Sequence, residues 1–598
     1  MAGFGEVAAG ISLTFQVFDG CIKGFVLLSE AQGLGSRADI FACQLEWEHY
    51  RLSKWASVVG LFDDKPQLRV ANPDIVNRTL HTLEQLLTNT SSLQQNYGLE
   101  LCPTEEEIRE INAPKRLLGR LIERAGSNLV NETAKVYSRR NNAWKKLKWA
   151  AIDGDRFRIF LKDVRYFREQ LESLLHPVDY ASNALVFDET MRSIVSQGPD
   201  RTILEAMGEP LKSVDKAVAA SARLRQAGLL LDLIAPSSSQ RTGTWGPKSD
   251  GIAVRNPKPS PKVTRDMRKS MQQISDCKGH KHLEVYREVA VYDNSPVILE
   301  WKDVDCGMES KIKYRIASVA SLLAEMEDKS FHCLRCVGYS KGPLNRYAYL
   351  FEPPADANLA SMKSLEEVLN EARDRRQRIG LNKRLAIGLA LAEAVLQLHT
   401  AGWLHKDIRP DNVLLFDNIT EKDVQLVFLA GYQVARADNP LEATEDPLSR
   451  EFSELYRHPA YLDQQRPEYH KGFDLYSLGC VLVELALWEY WPAILWRHSQ
   501  DRQAQKPRSY KLDIQQLARN KSTLVEEKAM LLSQTSQTTN ALMAEIEFHG
   551  GSAYKSIVSE CLAGEYNQSW EDTDSLDDGL VVQERTVLVL RRLCVAAS

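Results

Sequence analysis

The stretch Leu404–Phe416 reads LHKDIRPDNVLLF and decides the fold of the later part of this chain. It places His405, Asp407, Arg409 and Asn412 close together, and an apolar run follows them directly. A short apolar run bounded by a polar loop predicts a buried strand. The loop therefore presents an imidazole, a carboxylate, a guanidinium and an amide at the start of a predicted strand.

Three further motifs follow this loop in the chain. Leu455–Leu462 reads LYRHPAYL, Asp474–Gly479 reads DLYSLG and Tyr554–Leu562 reads YKSIVSECL. In this order, the four motifs resemble the catalytic loop, the end of the activation segment, the helix beneath it and a late helix of the protein kinase family. The resemblance implies a kinase-like fold in which His405, Asp407, Arg409 and Asn412 are the candidate catalytic residues. Asp407 is the catalytic carboxylate, and Arg409 occupies the position of a lysine.

The residues before the catalytic loop predict a small sheet. Leu283–Val304 alternates apolar and polar residues and is interrupted by Asp-Asn-Ser-Pro, a pattern that indicates a β-hairpin. Cys333–Phe351 supplies two more short apolar runs, and long helical patterns begin at Leu365. A small sheet followed by a large helical part is an α+β arrangement, which we assign to residues 266–598 with a core over residues 282–565.

Groups that phosphoryl transfer requires are missing from these motifs. The reaction needs a glycine-rich loop, a lysine on the third strand and an aspartate that binds magnesium. Leu283–Asp305 contains no glycine, so we expect no phosphate-binding loop. Gly431 aligns with the glycine of the family's Asp-Phe-Gly motif, which places Leu429 at the metal-ligand position, and leucine offers no oxygen to the ion. We therefore expect no metal site.

The candidate nucleotide-binding residues are Lys302, as the lysine of the third strand, and Glu352, in a Phe-Glu-Pro-Pro stretch that resembles a hinge. With Lys302 in that role, Glu300 would face the adenine. We interpret the domain as a pseudokinase that requires no cofactor, with Asp407 and Asn412 as remnants of the catalytic loop. The alternatives are ATP binding without turnover and an atypical active Ser/Thr protein kinase that binds ATP.

The predicted activation segment carries hydroxyl side chains that another kinase could phosphorylate. They are Thr444, Ser449, Ser453 and Tyr456. Because a phosphate adds charge and strong acceptor oxygens, these residues are candidate switches. In the same region, Ala460 replaces the glutamate of the family's Ala-Pro-Glu motif.

Residues 1–232 read as helical throughout. The apolar positions of the first segment are three or four residues apart, which predicts one face of a helix. They are Val7, Ile11, Phe15, Phe18, Ile22 and Phe25. A second seam with the same spacing runs from Phe157 to Leu174, and alternating strand patterns are missing, so we expect an all-α helical bundle. Pro236–Lys262, with five prolines, five serines and three glycines, predicts a linker over residues 233–265.

Four short motifs of this bundle resemble the fungal HeLo (prion-inhibition and propagation) domain. They are FGEVAAGI at Phe4–Ile11, FDGC at Phe18–Cys21, CQL at Cys43–Leu45 and RLSKW at Arg51–Trp55. The resemblance implies a helical bundle with a latent membrane-disrupting activity, in which the amino-terminal helix inserts through the six apolar residues named above. A HeLo-like bundle joined to a kinase-like domain is similar in layout to the mixed-lineage kinase-domain-like effector of animal necroptosis.

Together, the resemblances imply a fungal effector of programmed cell death and non-self recognition, as in heterokaryon incompatibility. A kinase-like sensor would respond to an unknown upstream activator protein, and the bundle would self-associate into oligomers and permeabilise membrane. The cations within Arg139–Lys148 and Arg156–Arg168 would favour anionic lipids. We expect a cytoplasmic protein that moves to the plasma membrane on activation. The alternative is a non-catalytic scaffold that contacts no lipid.

Composition excludes other classes. The chain has 598 residues, of which 44% are hydrophobic and 26% charged, as in folded proteins and unlike disordered ones. Its formal net charge of -5 argues against nucleic acid as a partner. The uncharged run Val7–Phe18 has 12 residues, whereas a membrane-spanning helix needs about 20. We expect a resting protein that is soluble and keeps its ten cysteines reduced.

Overall fold

In the computed structural model of the chain, the described residues are 14–25, 28, 38–61, 70, 72–102, 148–151, 154–175, 191–192, 194–196, 204, 216–234, 267–277, 286–304, 309–343, 345–355, 357–375, 378–417, 425–438, 452–462, 467–498, 521–532, 537–563 and 578–597. The chain divides into two compact units, residues 1–223 with 569–577 and residues 224–568 with 578–598. None of the described helices is both long enough and apolar enough to cross a membrane.

The first unit is built mainly from helices. Its elements are α1 (residues 14–25), α2 (Ala38–Val58), α3 (Pro73–Thr88), α4 (Thr90–Tyr97), β1 (Leu99–Cys102), β2 (Lys148–Ala151), α5 (Gly154–Ser173) and the first part of α6 (Lys216–Ile234). Asn72 begins α3, because its side chain accepts a hydrogen bond from the Ile75 amide and Pro73 occupies the first helical position.

The described residues of α1, α2, α3, α4 and α5 share a hydrophobic core, in which α5 packs against α2 and α3. The predicted seam from Phe157 to Leu174 lies in this core, where Phe160 and Val164 are fully buried. The predicted helical bundle is confirmed, with one correction. β1 and β2 form a two-stranded antiparallel sheet in which Leu99 pairs with Ala151. Its two strands are short and lie far apart in the chain, so no local alternating pattern predicted them.

The second unit contains a five-stranded antiparallel sheet. Its strands are β3 (Ile274–Ser275), β4 (Arg287–Tyr292), β5 (Ser295–Asp303), β6 (Cys336–Lys341) and β7 (Arg346–Phe351), in the order β3-β4-β5-β7-β6. The predicted hairpin is confirmed: β4 and β5 are joined at Asp293 and Asn294, whose φ angles of 48° and 61° fit a tight hairpin turn. A helix, α7 (Glu309–Glu325), packs against β6.

The rest of the second unit is mainly helical. Its helices are α8 (Leu365–Arg375), α9 (Leu381–Thr400), α10 (Pro459–Leu462), α11 (Lys471–Leu487), α12 (Trp491–His498), α13 (Lys521–Leu532), α14 (Gln537–Gly550), α15 (Ser552–Ala563) and α16 (Asp578–Ala597). Its short strands are β8 (Lys363–Ser364), β9 (Trp403–Leu404), β10 (Val413–Asp417), β11 (Gln425–Leu429) and β12 (Arg436–Ala437). α11 is buried along its whole length and packs against α9 and α15. The catalytic loop lies between β9 and β10, and the predicted α+β kinase-like fold class is confirmed.

Candidate functional site

One buried carboxylate anchors the catalytic loop. Asp474, in the first turn of α11, accepts hydrogen bonds from the backbone amides of His405 and Lys406, each at 2.8 Å. The His399 ring and the Tyr469 hydroxyl bond the same carboxylate at 3.0 and 2.8 Å. Burial opposes the ionisation of Asp474, but these hydrogen bonds outweigh it and hold the pKa of the carboxyl below its usual value. The loop is therefore held through its backbone.

His405 is a structural part of this loop. Its ring is fully buried; Nδ1 accepts a hydrogen bond from the Asp407 amide at 3.2 Å, and Nε2 donates one to the Ala430 carbonyl at 3.1 Å. Burial lowers the pKa of His405, so the ring is neutral near pH 7. Because both ring nitrogens are bonded, the imidazole positions the loop and has no free nitrogen to accept a substrate proton.

The other three candidate catalytic residues are bonded to one another. One carboxylate oxygen of Asp407 lies 3.0 Å from Arg409 Nε, and the other accepts a hydrogen bond from Asn412 Nδ2 at 2.9 Å. Arg409 also pairs with Asp411, at 3.0 Å. The structure thus brings together all four residues predicted from the motif, and it leaves Asp407 with both oxygens engaged.

A residue from the sheet completes this network. Arg287, at the start of β4, donates to the Asp411 carbonyl at 2.8 Å and to Asn412 Oδ1 at 3.1 Å. Its Nη2 also lies 3.2 Å from the carboxylate of Glu300, on β5. The amide of Asn412 is therefore bonded at both ends, by Asp407 at its nitrogen and by Arg287 at its oxygen. Sequence reasoning did not select Arg287.

The turn after β11 has no ligand for magnesium. Leu429 is buried and donates its backbone amide to the His332 carbonyl at 2.7 Å, and its side chain has no oxygen to offer an ion. Gly431 has a φ of 86°, and a Cβ atom there would overlap the Asn412 side chain, so only glycine fits. Among the described residues, no group of three or more His, Cys, Asp and Glu side chains could hold a metal ion. The residues present do not fit a nucleotide-bound magnesium.

The two predicted nucleotide-binding residues are not brought together. Lys302 is buried and donates to the Gln433 carbonyl at 2.7 Å. Glu352 is exposed, pairs with Arg335 at 3.1 Å and borders two cavities of about 560 and 840 Å³. Among their described lining residues, neither cavity includes Lys302 or Asn412. A shared role of Lys302 and Glu352 in a nucleotide site stays a prediction.

Glu300 has a role that differs from the expected one. Its carboxylate accepts a hydrogen bond from the Gly431 amide at 3.2 Å, so it points at the turn that follows β11 and not toward an adenine. The stretch from Val297 to Glu300 reads Val-Ile-Leu-Glu, which has apolar residues at the first three positions of the family's Val-Ala-Ile-Lys pattern and glutamate at the position of the lysine. A shift of two residues in the alignment of β5 would have identified this substitution.

The position of the phosphate-binding loop also needs correction. The first two strands of the sheet are β3 and β4, so the connection that would cover phosphates spans residues 276–286. Its sequence contains one glycine, Gly279. The glycine-free stretch used for the prediction began at Leu283, inside this connection, because β3 is only two residues long and gave no strand pattern.

The activation segment hides two of its four candidate phosphorylation sites. Ser453 and Tyr456 are buried, and the Tyr456 hydroxyl donates to Glu484 at 2.6 Å. Thr444 and Ser449 lie outside the described residues. Modification of Ser453 or Tyr456 would require the segment to open first.

In the first unit, the predicted membrane-inserting face contains both buried and exposed residues. Phe18, Ile22 and Phe25 are buried in the core, whereas Phe15 is 39% exposed. Val7 and Ile11 lie outside the described residues. On an ideal helix, Phe15 is turned by about 80° from the centre of the buried stripe, which explains its exposure.

Two small residues that the apolar pattern missed complete the buried face of α1. The Thr14 hydroxyl donates to Asn77, and the Cys21 thiol donates to the Leu80 carbonyl at 3.4 Å. Both partners belong to α3. The buried stripe therefore runs through Thr14, Phe18, Cys21 and Phe25, with Ile22 at its edge.

α1 lies close against α3 at two glycines. A Cβ atom at Gly20 would overlap the Glu84 carboxylate, and one at Gly24 would lie 2.5 Å from Leu87 Cβ. Glycine lowers the intrinsic stability of a helix, but here it permits close packing. The same residues that weaken α1 on its own therefore fit it to the bundle.

A buried ion network joins α2 to α5. Arg168 lies 2.6 Å from Glu48 and 2.6 Å from Glu172, which also pairs with Arg51 at 2.6 Å. Arg165 pairs with Glu48 at 3.1 Å. Burial opposes the ionisation of Glu48, but the arginines outweigh it and hold its pKa below the usual value. Two cations of the predicted lipid-binding patch, Arg165 and Arg168, thus form ion pairs within the bundle.

The outer side of α5 carries other residues of that patch. Ile159, Lys162 and Tyr166 are exposed and spaced by three and four residues, so they share one face of the helix. Arg158 forms an exposed pair with Asp155 at 2.9 Å. Residues 139–147, which hold most of the other predicted cations, lie outside the described residues.

Comparisons with known proteins match both units. The family model described as HeLo, prion-inhibition and propagation, matches residues 5–200, and the protein kinase domain model matches residues 346–568. Extracellular signal-regulated kinase 2 of Dictyostelium discoideum is 36% identical over 99 residues, which are 16% of this chain and 25% of that protein. Mitogen-activated protein kinase spk1 of Schizosaccharomyces pombe is 37% identical over 95 residues, 16% of this chain and 24% of that protein.

The chain thus spans about a quarter of the length of these curated relatives. Among solved structures, the twitchin kinase region from C. elegans is similar with a TM-score of 0.32 and 8% identity, over 47% of this chain and 40% of that one.

Proposed function

We propose that this chain, in which a HeLo domain is fused to a protein kinase domain, is an effector of fungal cell death and non-self recognition. The kinase-like domain is a sensor without catalysis, and it controls a membrane-disrupting HeLo-like bundle. The observation that carries the proposal is this combination itself: a bundle of the prion-inhibition family on the same chain as a kinase-like site that has Leu429 at the metal position.

The bonding of the catalytic loop supports the loss of catalysis. Phosphoryl transfer needs an aspartate to accept the substrate proton and an asparagine to bind metal. Here the oxygens of Asp407 are engaged by Arg409 and Asn412, and the oxygen of Asn412 is engaged by Arg287. A reaction would have to break these contacts and would still lack the metal ligand. The sensor therefore requires no cofactor.

The packing of α1 supports a latent membrane activity. Burial of a large apolar side chain contributes about 2 kcal/mol, so removing Phe18, Ile22 and Phe25 from the core has a substantial cost. That cost is recovered if the released face enters lipid or packs on the same face of a second copy. We propose that activation by an upstream protein releases α1 in this way, with oligomers as the membrane-active form.

We propose anionic lipids of the plasma membrane as the target, reached from the cytoplasm. The exposed face of α5 combines the Lys162 cation with the apolar side chains of Ile159 and Tyr166, a mixture that suits a negatively charged interface. Phe15 is the exposed aromatic residue of α1 and would contact the bilayer first.

Two assays test the proposal. Residues 1–232 are expressed in yeast, and the uptake of a membrane-impermeant dye is measured; we expect killing with dye uptake, abolished by Phe15→Glu. The purified full chain is incubated with radiolabelled ATP, magnesium and a general protein substrate; we expect no transfer above that of the Asp407→Asn variant. Transfer that depends on Asp407 would establish an active kinase and would contradict the sensor role.

A further inference from the structure

Three hydrogen-bond donors converge on the carboxylate of Glu300, in the cleft between the five-stranded sheet and the catalytic loop. Arg287 Nη2 and the Gly431 amide each lie 3.2 Å from its Oε2, and Gln433 Nε2 lies 3.4 Å from its Oε1. Glu300 is 2% exposed, so this carboxylate is bonded inside the protein and not at its surface. A guanidinium, a backbone amide and a side-chain amide that point at one place form an anion-binding site.

Two of the donors, Arg287 and the Gly431 amide, are held in place independently of Glu300, and the backbone of the third, Gln433, is also anchored. Arg287 is fixed by the Asp411 carbonyl and by Asn412. The Gly431 amide is oriented by a left-handed turn packed on Asn412, where no other residue fits. Lys302 donates to the backbone carbonyl of Gln433 at 2.7 Å. The site should therefore keep its shape when the carboxylate is removed.

We infer that Glu300 is the built-in occupant of this anion site, and that its carboxylate excludes phosphate-bearing ligands from the cleft. The Arg287 guanidinium, which a phosphate would need, is paired with Glu300 at 3.2 Å. The Gly431 and Gln433 amides are engaged by the same carboxylate. With Glu300 present, a phosphate would have to displace it from all three donors.

Without the Glu300 carboxylate, the emptied site would take a small anion. Removing Glu300 leaves one uncompensated cation beside two oriented amides, an arrangement that binds phosphate or carboxylate. Because Leu429 offers no oxygen, the binding would not depend on magnesium. In the native protein a nucleotide is then not the signal, and the activator acts at another surface.

Three full-length proteins test the inference: the native chain, Glu300→Ala, which empties the site, and Glu300→Gln, which keeps it filled without charge. The probes are a fluorescent ADP analogue, with magnesium or with EDTA, and sodium acetate or phosphate against sodium chloride at equal ionic strength. Fluorescence titration gives the affinity for the nucleotide. Thermal melting reports on binding of the small anions.

For the native chain and Glu300→Gln, we expect no binding of the ADP analogue and no shift of the melting temperature with the small anions. Glu300→Ala should bind the ADP analogue at least about tenfold more tightly than the native chain, equally with magnesium and EDTA, and acetate should raise its melting temperature. Addition of Arg287→Ala should abolish both effects. Nucleotide binding by the native chain would overturn the inference, as would a folded Glu300→Ala that ignores acetate and ADP. If Glu300→Ala does not fold, Glu300→Ser, which also removes the carboxylate, replaces it in the same titrations with the same expected results. None of these results depends on membrane activity.

Discussion

The α1 helix of the first unit and the Glu300 carboxylate of the second are both covered by their own chain, but different forces hold them. α1 is held by apolar burial of Phe18, Ile22 and Phe25, together with close packing at two glycines. Glu300 is held by Arg287 and oriented amides. A bilayer offers an apolar face the same burial that the core does, whereas it offers nothing to a buried carboxylate. Under the proposed function, α1 of the bundle is therefore the part that moves, and the contacts of Glu300 stay fixed.

The largest expected effect is the loss of stability when the buried ion network of the bundle is broken. Arg168→Ala leaves Glu48 and Glu172 buried without their shared cation, and we expect a loss of about 4 kcal/mol in the free energy of unfolding. Arg158→Ala removes an exposed pair and should cost no more than about 0.5 kcal/mol. Urea denaturation of the full chain, followed by circular dichroism, measures both. Equal losses would mean that the buried network does not hold α2 to α5.

The apolar attachment of α1 is tested by two phenylalanines on one helix. Phe18→Ala opens a cavity in the core and should destabilise the first unit by about 3 kcal/mol. Phe15→Ala changes an exposed side chain and should cost less than about 1 kcal/mol. Hydrogen exchange in α1 and the urea midpoint distinguish the two variants. A larger loss for Phe15 would place the buried face elsewhere.

The ionic attachment in the cleft should be weaker. Arg287→Ala removes the guanidinium beside Glu300 but leaves the Gly431 amide bonded to that carboxylate, so we expect a loss of about 2 kcal/mol. Arg335→Ala, which breaks an exposed pair with Glu352, should cost no more than about 0.5 kcal/mol. Thermal melting of the full chain compares them. If the Arg287 variant melts like the Arg335 variant, the cleft is not held by this contact.

The smallest expected effect is a pH dependence beside the catalytic loop. Burial, with the charge of Asp411, raises the pKa of Glu366 to about 7 from its ordinary value of 4.5. The folded state therefore binds more protons than the unfolded chain, and stability falls as the pH rises from about 4.5 to about 7. At pH 8, the free energy of unfolding of Glu366→Gln should exceed that of the native chain by about 1 kcal/mol, and its melting temperature should be higher. At pH 4.5 the two proteins should melt alike. A margin independent of pH would contradict the raised pKa.

The sequence predicted those parts of the molecule that depend on local pattern. The loop at Leu404–Phe416, the β4–β5 hairpin and the seam of α5 all follow from short motifs or regular spacing, and the structure contains each of them. Leu429 was found in the same way, because its distance from Gly431 is fixed by the motif.

Features that depend on contacts between distant segments were not predictable. The role of Glu300 follows from the pairing of β5 with β4, where it lies opposite Arg287, and no local pattern records that register. The burial of Tyr456 depends on Glu484 of another element, and the exposure of Phe15 depends on which side of α1 meets α3. In each case the side chain's neighbours, and not its own type, decide its role.

The most direct test of the central claim is dye leakage from liposomes that contain anionic phosphatidylserine. The full chain, residues 1–232 and residues 1–232 with Phe15→Glu are compared, after circular dichroism and a cooperative melt have shown that the fragment is folded. We predict leakage with the fragment, none with the full chain and none with the variant. A folded fragment that leaves the liposomes intact would contradict the claim that this chain holds a latent membrane-disrupting bundle.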